Sequence, residues 1–242
     1  MKQPNSSDIL EAKEYIRKRL DAELAMEHYL DRQLLKAARE IVSLAYSYNI
    51  PPTQFSFDYD MVLSFKVSQI IAKLKTLIEE YDIMLALSTP KMEEETLTEH
   101  IFREIDGITY SQRLNTYTNK FKSELESFIS AGLIAGLSSS GLTNEIKKTY
   151  KHPKQGSIIS DKVKGFSSYS RLLLLARHTI ADAWMYADGE WMRKNGAVGY
   201  MVYRGSSYPC SVCDMTVGYH PINDYVLPVH PNCMCYAVPV YK

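Results

Sequence analysis

The sequence predicts an α+β protein that is mainly α: long N-terminal helices, then a small C-terminal strand-and-loop domain cross-linked through Cys and His. Three observations lead there. Apolar residues recur at helical spacing through most of the first 195 residues. From Val198 the period changes to short β-branched and aromatic runs. All four cysteines lie in the last 33 residues, where they can tie a loop-rich tail together.

Taken in order, Ser7 and Asp8 are candidate caps before Ile9, opening a helix that runs to about Tyr48. Ile16, Leu20 and Leu24 fall four apart, as do Leu30, Leu34 and Ala38, with Ile41 and Ala45 following. Glu11, Lys13, Glu14, Arg17, Lys18 and Arg19 are assigned to the other, solvated faces. Pro51-Pro52 stops the helix, because proline disfavours helical geometry in the residue before it. Phe55 to Tyr59 reads as an aromatic connector. A second helix spans about Asp60 to Leu87, lined by Ile70, Leu74, Leu77 and Ile78, and Thr89-Pro90 ends it. Shorter helices are expected around Glu93–Ile105 and Ser111–Ala135.

Gly132, Gly136 and Ser138 to Gly141 read as a loop, with Thr143 capping a short helix that ends near Tyr150. His152-Pro153 and Gly156 mark another loop. Ser167 or Ser168 opens a helix over 169–195, with Gly196 in the usual position after a helix end. Trp184, Met185, Trp191 and Met192 sit on it at helical spacing and read as side chains of a core. Val198 to Arg204 predicts a strand; Tyr225–Val229 and Tyr236–Tyr241 are weaker strand candidates. Pro228 and Pro239 point to edges or ends. The expected division is an extended helical region over 1–125, suited to partner docking, and a second domain over 126–242 with its Cys/His-rich tail at 198–242.

Composition narrows the function. The 242 residues are 45% hydrophobic and 23% charged, as in ordinary globular proteins. Lys and Arg number 28 against 28 Asp and Glu, which excludes a polyanion binder working by bulk charge. Residues 151–242 hold ten basic and six acidic side chains and residues 1–150 hold 18 and 22, a mild basic excess in the tail. Met1 to Ser7 leads into a charged helix without an apolar run, so no secretory leader is expected. No stretch approaches the roughly 20 apolar residues that span a bilayer. A reducing cytosol, where thiols stay free or bind metal, is the expected site of synthesis.

The chemistry concentrates in the tail. Cys210-x-x-Cys213 is followed, after 16 residues, by His230-Pro-Asn-Cys233-Met-Cys235. Two short turns carrying thiols and an imidazole fit tetrahedral zinc, with bonds of about 2.3 Å to sulfur and about 2.0 Å to nitrogen. Cys210, Cys213, His230, Cys233 and Cys235 are the candidate ligands, and His220 is a further one. The first choice is Cys210, Cys213, Cys233 and Cys235, or His230 in place of one of the last two. The alternatives are disulfides (Cys210–Cys233 with Cys213–Cys235, or the crossed pairing), thiols buried as small hydrophobes, and a purely structural turn at His230. A catalytic zinc is disfavoured, since Asp214 and Asp224 are the tail's only carboxylates.

Leu175-Ala-Arg177-His-Thr-Ile-Ala181, the helix running on to Asn195-Gly196, Tyr208-Pro-Cys-Ser-Val-Cys213 and Pro228-Val-His-Pro-Asn-Cys-Met-Cys235 together resemble the phage Mu F-like head morphogenesis family. The segment from Ala131 to Ile146 is also similar, so the resemblance covers about residues 128–239. The chain departs from the family pattern at Thr179, where a glutamate is common, and at Met234, where an arginine stands between the last cysteines. Ser206-Ser207-Tyr208 replaces an acidic residue before the first cysteine. The resemblance implies a minor head protein of a tailed phage, located in the virion at the head interior or neck. It implies portal and other head proteins as partners, packaged DNA as a further contact, and no membrane, small-molecule substrate or enzymatic turnover.

Two other classes compete. A small toxin-like nuclease or transferase would use Arg177, His178, Arg204 and His220, but no carboxylate pair, nucleophile elbow or phosphate-binding glycine loop accompanies them. A zinc-dependent nucleic-acid-binding module would use the mild basic excess and tyrosines 200, 203, 208, 219, 225 and 236. Strand alternation reads those tyrosines as a small core instead.

Overall fold

In a computed structural model the described residues are 4–150 and 167–242. The expected loop marked by His152, Pro153 and Gly156 lies outside them. The elements are α1 (Ser6–Tyr46), 3-10 turns at Pro52–Gln54 and Phe57–Tyr59, α2 (Met61–Leu87), α3 (Glu94–Phe102), α4 (Tyr110–Ile134), α5 (Ser139–Thr149), α6 (Ser167–Lys194), β1 (Gly199–Tyr203), α7 (Ser211–Thr216), β2 (Gly218–Pro221) and β3 (Tyr236–Val240). The protein is thus mainly helical with a small C-terminal sheet and a Cys/His cluster beside it, as the sequence predicts.

Helix ends follow side-chain chemistry. Asn5, not Ser7, caps α1: its Oδ1 accepts from the Ser7 and Asp8 amides at 2.8 and 3.1 Å, while Asp8 accepts from the Asn5 amide at 2.9 Å. Asp60 caps α2 through the Val62 and Leu63 amides. Thr109 and Gln112 form a reciprocal capping box at the start of α4. The expected loop at residues 138–141 is instead the first turn of α5. Ser138, rather than Thr143, is the cap, accepting from the Gly141 amide at 3.1 Å. Gly196, at φ +78°, ends α6 with the Ala197 amide bonded to the Met192 carbonyl, the left-handed stop its position predicts.

The chain forms two compact units. One comprises Met1–Glu27, Tyr81–Ile105 and Ala176–Lys242; the other comprises His28–Glu80 and Asp106–Leu175. Helices α1, α2 and α6 each give residues to both, a different grouping from a cut at residue 125. The second unit has an apolar core that includes Leu30, Leu34, Ile41, Leu63, Phe121 and Phe128, all at most 1% exposed. Within it the Glu124 carboxylate accepts from the amides and hydroxyls of Ser167 and Ser168, anchoring the start of α6.

The first unit carries the sheet, an antiparallel trio in the order β2-β1-β3. Central β1 buries Tyr200 and Val202 completely. Pro239 sits in β3, an edge strand where its missing N–H leaves no gap in the ladder. The expected strand over 225–229 does not form; there the Tyr200 phenol accepts from the Val226 amide at 2.9 Å and donates to the carbonyl of Asp224, just before the segment, at 2.5 Å. The expected apolar line Ile16-Leu20-Leu24 is corrected as well. Leu24 is 48% exposed, while Arg19 is 0% exposed and Glu23 is buried beside it. No helix among the described residues is long and apolar enough to cross a membrane.

Candidate metal centre

Two turns build the centre. After β1 the chain passes through Gly205 to Cys210, which precedes α7, and α7 carries Cys213. Arg204 fixes this turn: its guanidinium donates to the carbonyls of Tyr208 and Cys210 and pairs with the Asp214 carboxylate. The second turn is His230 to Cys233, closed by the Cys233 amide on the His230 carbonyl at 3.1 Å. Asn232 there has φ +63°, a left-handed conformation that asparagine tolerates better than most residues. The turns meet at Gly205, where a Cβ would lie 1.8 Å from the Met234 carbonyl oxygen. Only glycine lets the two backbones approach so closely.

This closure gathers all five predicted ligands. Cys210, Cys213 and His230 form one group and Cys213, Cys233 and Cys235 another, with the ligand atoms of each group within 4.8 Å of one another. His230 Nε2 lies 3.4 Å from Cys210 Sγ and 3.0 Å from Cys213 Sγ. Nitrogen and sulfur ligands of one tetrahedral zinc would be about 3.5 Å apart, given the bond lengths above. The other ring nitrogen, Nδ1, donates to the Pro231 carbonyl at 2.7 Å. That bond fixes the tautomer and leaves the Nε2 lone pair facing the sulfurs. The four cysteines are free thiols, with Cys213, Cys233 and Cys235 buried. The cluster can therefore hold a metal ion.

Proton sharing among the thiols is consistent with that chemistry. The Cys213 amide and thiol donate to Cys210 and lower its pKa. Burial and the neighbouring Cys210 raise Cys213 to about 11. The Cys235 thiol and backbone donate to Cys233 and bring it down to about 5 against the effect of burial, while Cys235 itself is pushed up by that same bond. His230 is raised by its bond to Pro231 and by the nearby thiolate character of Cys233 and Cys210. In each cysteine pair one thiol is thus easier to ionise than its neighbour, and thiolate is the form that ligates metal.

His220 is not part of the cluster. Its Nε2 bonds to the Thr216 carbonyl at 2.7 Å and its ring stacks on Tyr200 at 5.5 Å. Of the four residues an enzymatic site would use, Arg204 borders the cysteines. A recess of about 200 Å³ beside the cysteines is lined by Arg204, Ser206, Tyr208, Asn232 and Met234, but not by Arg177, His178 or His220. Arg177 instead pairs with Glu27 and reaches Asn232 Oδ1 at 3.4 Å.

Residues beyond the expected ligands complete the centre. Arg19, from α1, donates through Nη2 to the Cys233 carbonyl at 2.5 Å, and its Nε lies 3.0 Å from Glu23 Oε1. Burial raises the Glu23 pKa, with Arg19 and Arg177 opposing it. A sequence signal for Arg19 exists: Tyr15, Ala22 and Met26, all buried, share its helical phase. Comparison with protein-family models, curated proteins and solved structures finds no match to this chain.

Proposed function

We propose that the chain is a phage minor head protein of the Mu F-like kind, a structural and assembly component in which the Cys/His cluster holds a structural zinc. Cys210, Cys213 and His230 supply three ligands and the Cys233/Cys235 pair supplies the fourth. The observation that carries the reading is a convergence. Three of the stretches bearing the resemblance meet in one compact unit, while the similar segment over 131–146 belongs to the other: Arg177 of the Ala-Arg helix touches Asn232 of the His-Pro-Asn-Cys turn, and that turn closes on the Cys-x-x-Cys turn. A structural rather than catalytic role is supported by the engagements of Arg177 and Arg204, each held in ion pairs and carbonyl or amide contacts.

Zinc bound there would cross-link two turns of a tail whose strands are only four to five residues long. Portal and other head proteins are the partners this reading assigns, and the virion is the location. The test has two arms. Elemental analysis of protein purified under reducing conditions should return one zinc per chain, released on unfolding. Under this reading a portal gene should neighbour the gene for this chain, co-expression with its product should yield a complex, and purified particles should contain the chain. Absence from particles together with failure to bind the portal would overturn the assembly role, whatever the metal content.

A further inference from the structure

The first helix reaches the metal centre through charged side chains, and this has a consequence that depends on the zinc reading above. Arg19 is 0% exposed, and it lies 214 positions from the residue it contacts. Its Nη2 donates to the Cys233 carbonyl at 2.5 Å, while Nε and Nη1 find no hydrogen-bond acceptor among the described residues. A wholly buried guanidinium is costly unless charge nearby compensates it. Glu23 supplies one part, at 3.0 Å from Nε. It is the guanidinium of this pair that reaches the ligand turn. A divalent zinc held by three thiolates and an imidazole carries a net negative charge, which favours a cation against its ligand backbone. One to two turns along α1, Glu27 pairs with Arg177, and Arg177 reaches Asn232 beside Cys233. The same ligand turn is therefore gripped at two adjacent residues, each time by a guanidinium tied to a carboxylate of α1.

We infer that Arg19, seconded by the Glu27–Arg177 pair, is a positioning residue of the metal centre. Through it the segment of α1 from Arg19 to Glu27 is energetically coupled to metal binding at the far end of the chain. Partners that orient a metal-ligating loop from outside the ligand sphere contribute about 10–100-fold to affinity when present. Coupling is reciprocal, so bound metal must stabilise that stretch of α1 by the same factor.

The experiment is a competition titration of Zn²⁺ between the full-length protein and a chromophoric chelator, with hydrogen exchange measured in parallel. Arg19→Met should weaken zinc binding by about 10–100-fold. Tyr15→Phe is the control on the same helix; it removes buried hydrogen bonds to Thr89 and the Trp184 carbonyl but touches no ligand turn. It should leave zinc affinity within about twofold, the spread expected of a site not coupled to it. In the wild-type chain, Zn²⁺ should slow exchange of α1 amides from Arg19 to Glu27 and leave those of α4 unchanged. This measurement decides the matter even if Arg19→Met does not fold. A wild-type chain that binds zinc with no change in α1 exchange, or an Arg19→Met chain with undiminished affinity, overturns the coupling and leaves the zinc reading intact. A wild-type chain that binds no zinc overturns both.

Discussion

Replacing Lys91 by Met tests the electrostatics of the first unit most directly. Lys91 Nζ lies 2.5 Å from Asp188 Oδ1, with the two side chains 12% and 3% exposed. The other Asp188 oxygen accepts from the Tyr225 phenol at 2.9 Å. Burial is the largest influence on Asp188 and raises its pKa, with Lys91 the main opposing one. Without Lys91 the carboxylate keeps only Tyr225, and breaking a buried ion pair from one side costs about 3–5 kcal/mol near neutral pH. The ammonium also sits 4.2 Å from the Tyr15 ring centre and 4.5 Å from that of Trp191. Losing those contacts adds about 0.5–2 kcal/mol that does not depend on pH in this range.

The pH dependence separates the two contributions. A carboxyl whose folded pKa exceeds its unfolded value stabilises the fold while protonated, and that stabilisation is lost as pH rises through the folded pKa. In the Lys91→Met chain, stability should therefore climb by up to about 1.4 kcal/mol for each pH unit descended below the folded pKa of Asp188, down to its ordinary value. The wild-type slope should be shallower, because Lys91 holds the shift down. Both tryptophans, Trp184 and Trp191, lie in this unit, so urea unfolding followed by their fluorescence at pH 5 to 8 reports on it alone. Adding Asp188→Asn should recover most of the loss, since the amide still accepts from Tyr225 and carries no charge. A difference between wild type and Lys91→Met that stayed constant with pH would refute the reasoning.

Gly205→Ala should cost about 3 kcal/mol, the upper end for overpacking, because its Cβ meets backbone rather than a flexible side chain. The same substitution should lower zinc affinity, read by the chelator competition. Asp182 has its pKa lowered although burial alone would raise it, because His100 and Arg103 bond to it. Its contribution is present above the ordinary carboxylate value and is lost as pH falls through the lower folded one. Asp182→Asn should thus be destabilising by about 1–3 kcal/mol at pH 7, with the gap to wild type closing under acid unfolding below about pH 4. At Asn232, Val should cost about 1–2 kcal/mol more than Gly in thermal melts, because φ +63° strains a β-branched residue and not glycine.

The gathering of the four thiols with His230 was legible because short spacing already places them on two turns, whereas spacing did not set His220 apart from them. The long helices were legible for a related reason: α1, α2 and α6 each present several turns of a repeating pattern. Helix α7 and strand β2, of six and four residues, show neither a period nor the β-branched and aromatic run that marks the five-residue β1. That brevity also concealed the fate of His220, whose ring is committed to Tyr200 and Thr216 by β2. Gly141 suggested a loop, yet its amide is the donor that Ser138 needs to begin α5. Arg19 escaped for a different reason. Apolar counting assigns every arginine to solvent, so the helical phase that Arg19 shares with Tyr15, Ala22 and Met26 went unused, and the turn that accepts from it lies far away in sequence.

That exception belongs to a pattern. The first unit is assembled from three separate stretches of chain, Met1–Glu27, Tyr81–Ile105 and Ala176–Lys242. Apolar stripes would let helices from such stretches slide by a turn at small cost, because burial is non-directional. Buried and part-buried polar contacts instead join each pair of stretches. Tyr15 joins the first stretch to the second at Thr89 and to the third at the Trp184 carbonyl. Lys91 and His100 join the second to the third at Asp188 and Asp182. Arg19 and Glu27 join the first to the third at Cys233 and Arg177. A shift of any helix by one turn would leave several of these groups buried and unpaired, each at a cost of about 1–3 kcal/mol or more. The polar groups therefore select one register among those the apolar surfaces allow. The cysteine turns, carried on the third stretch, inherit their place from that selection.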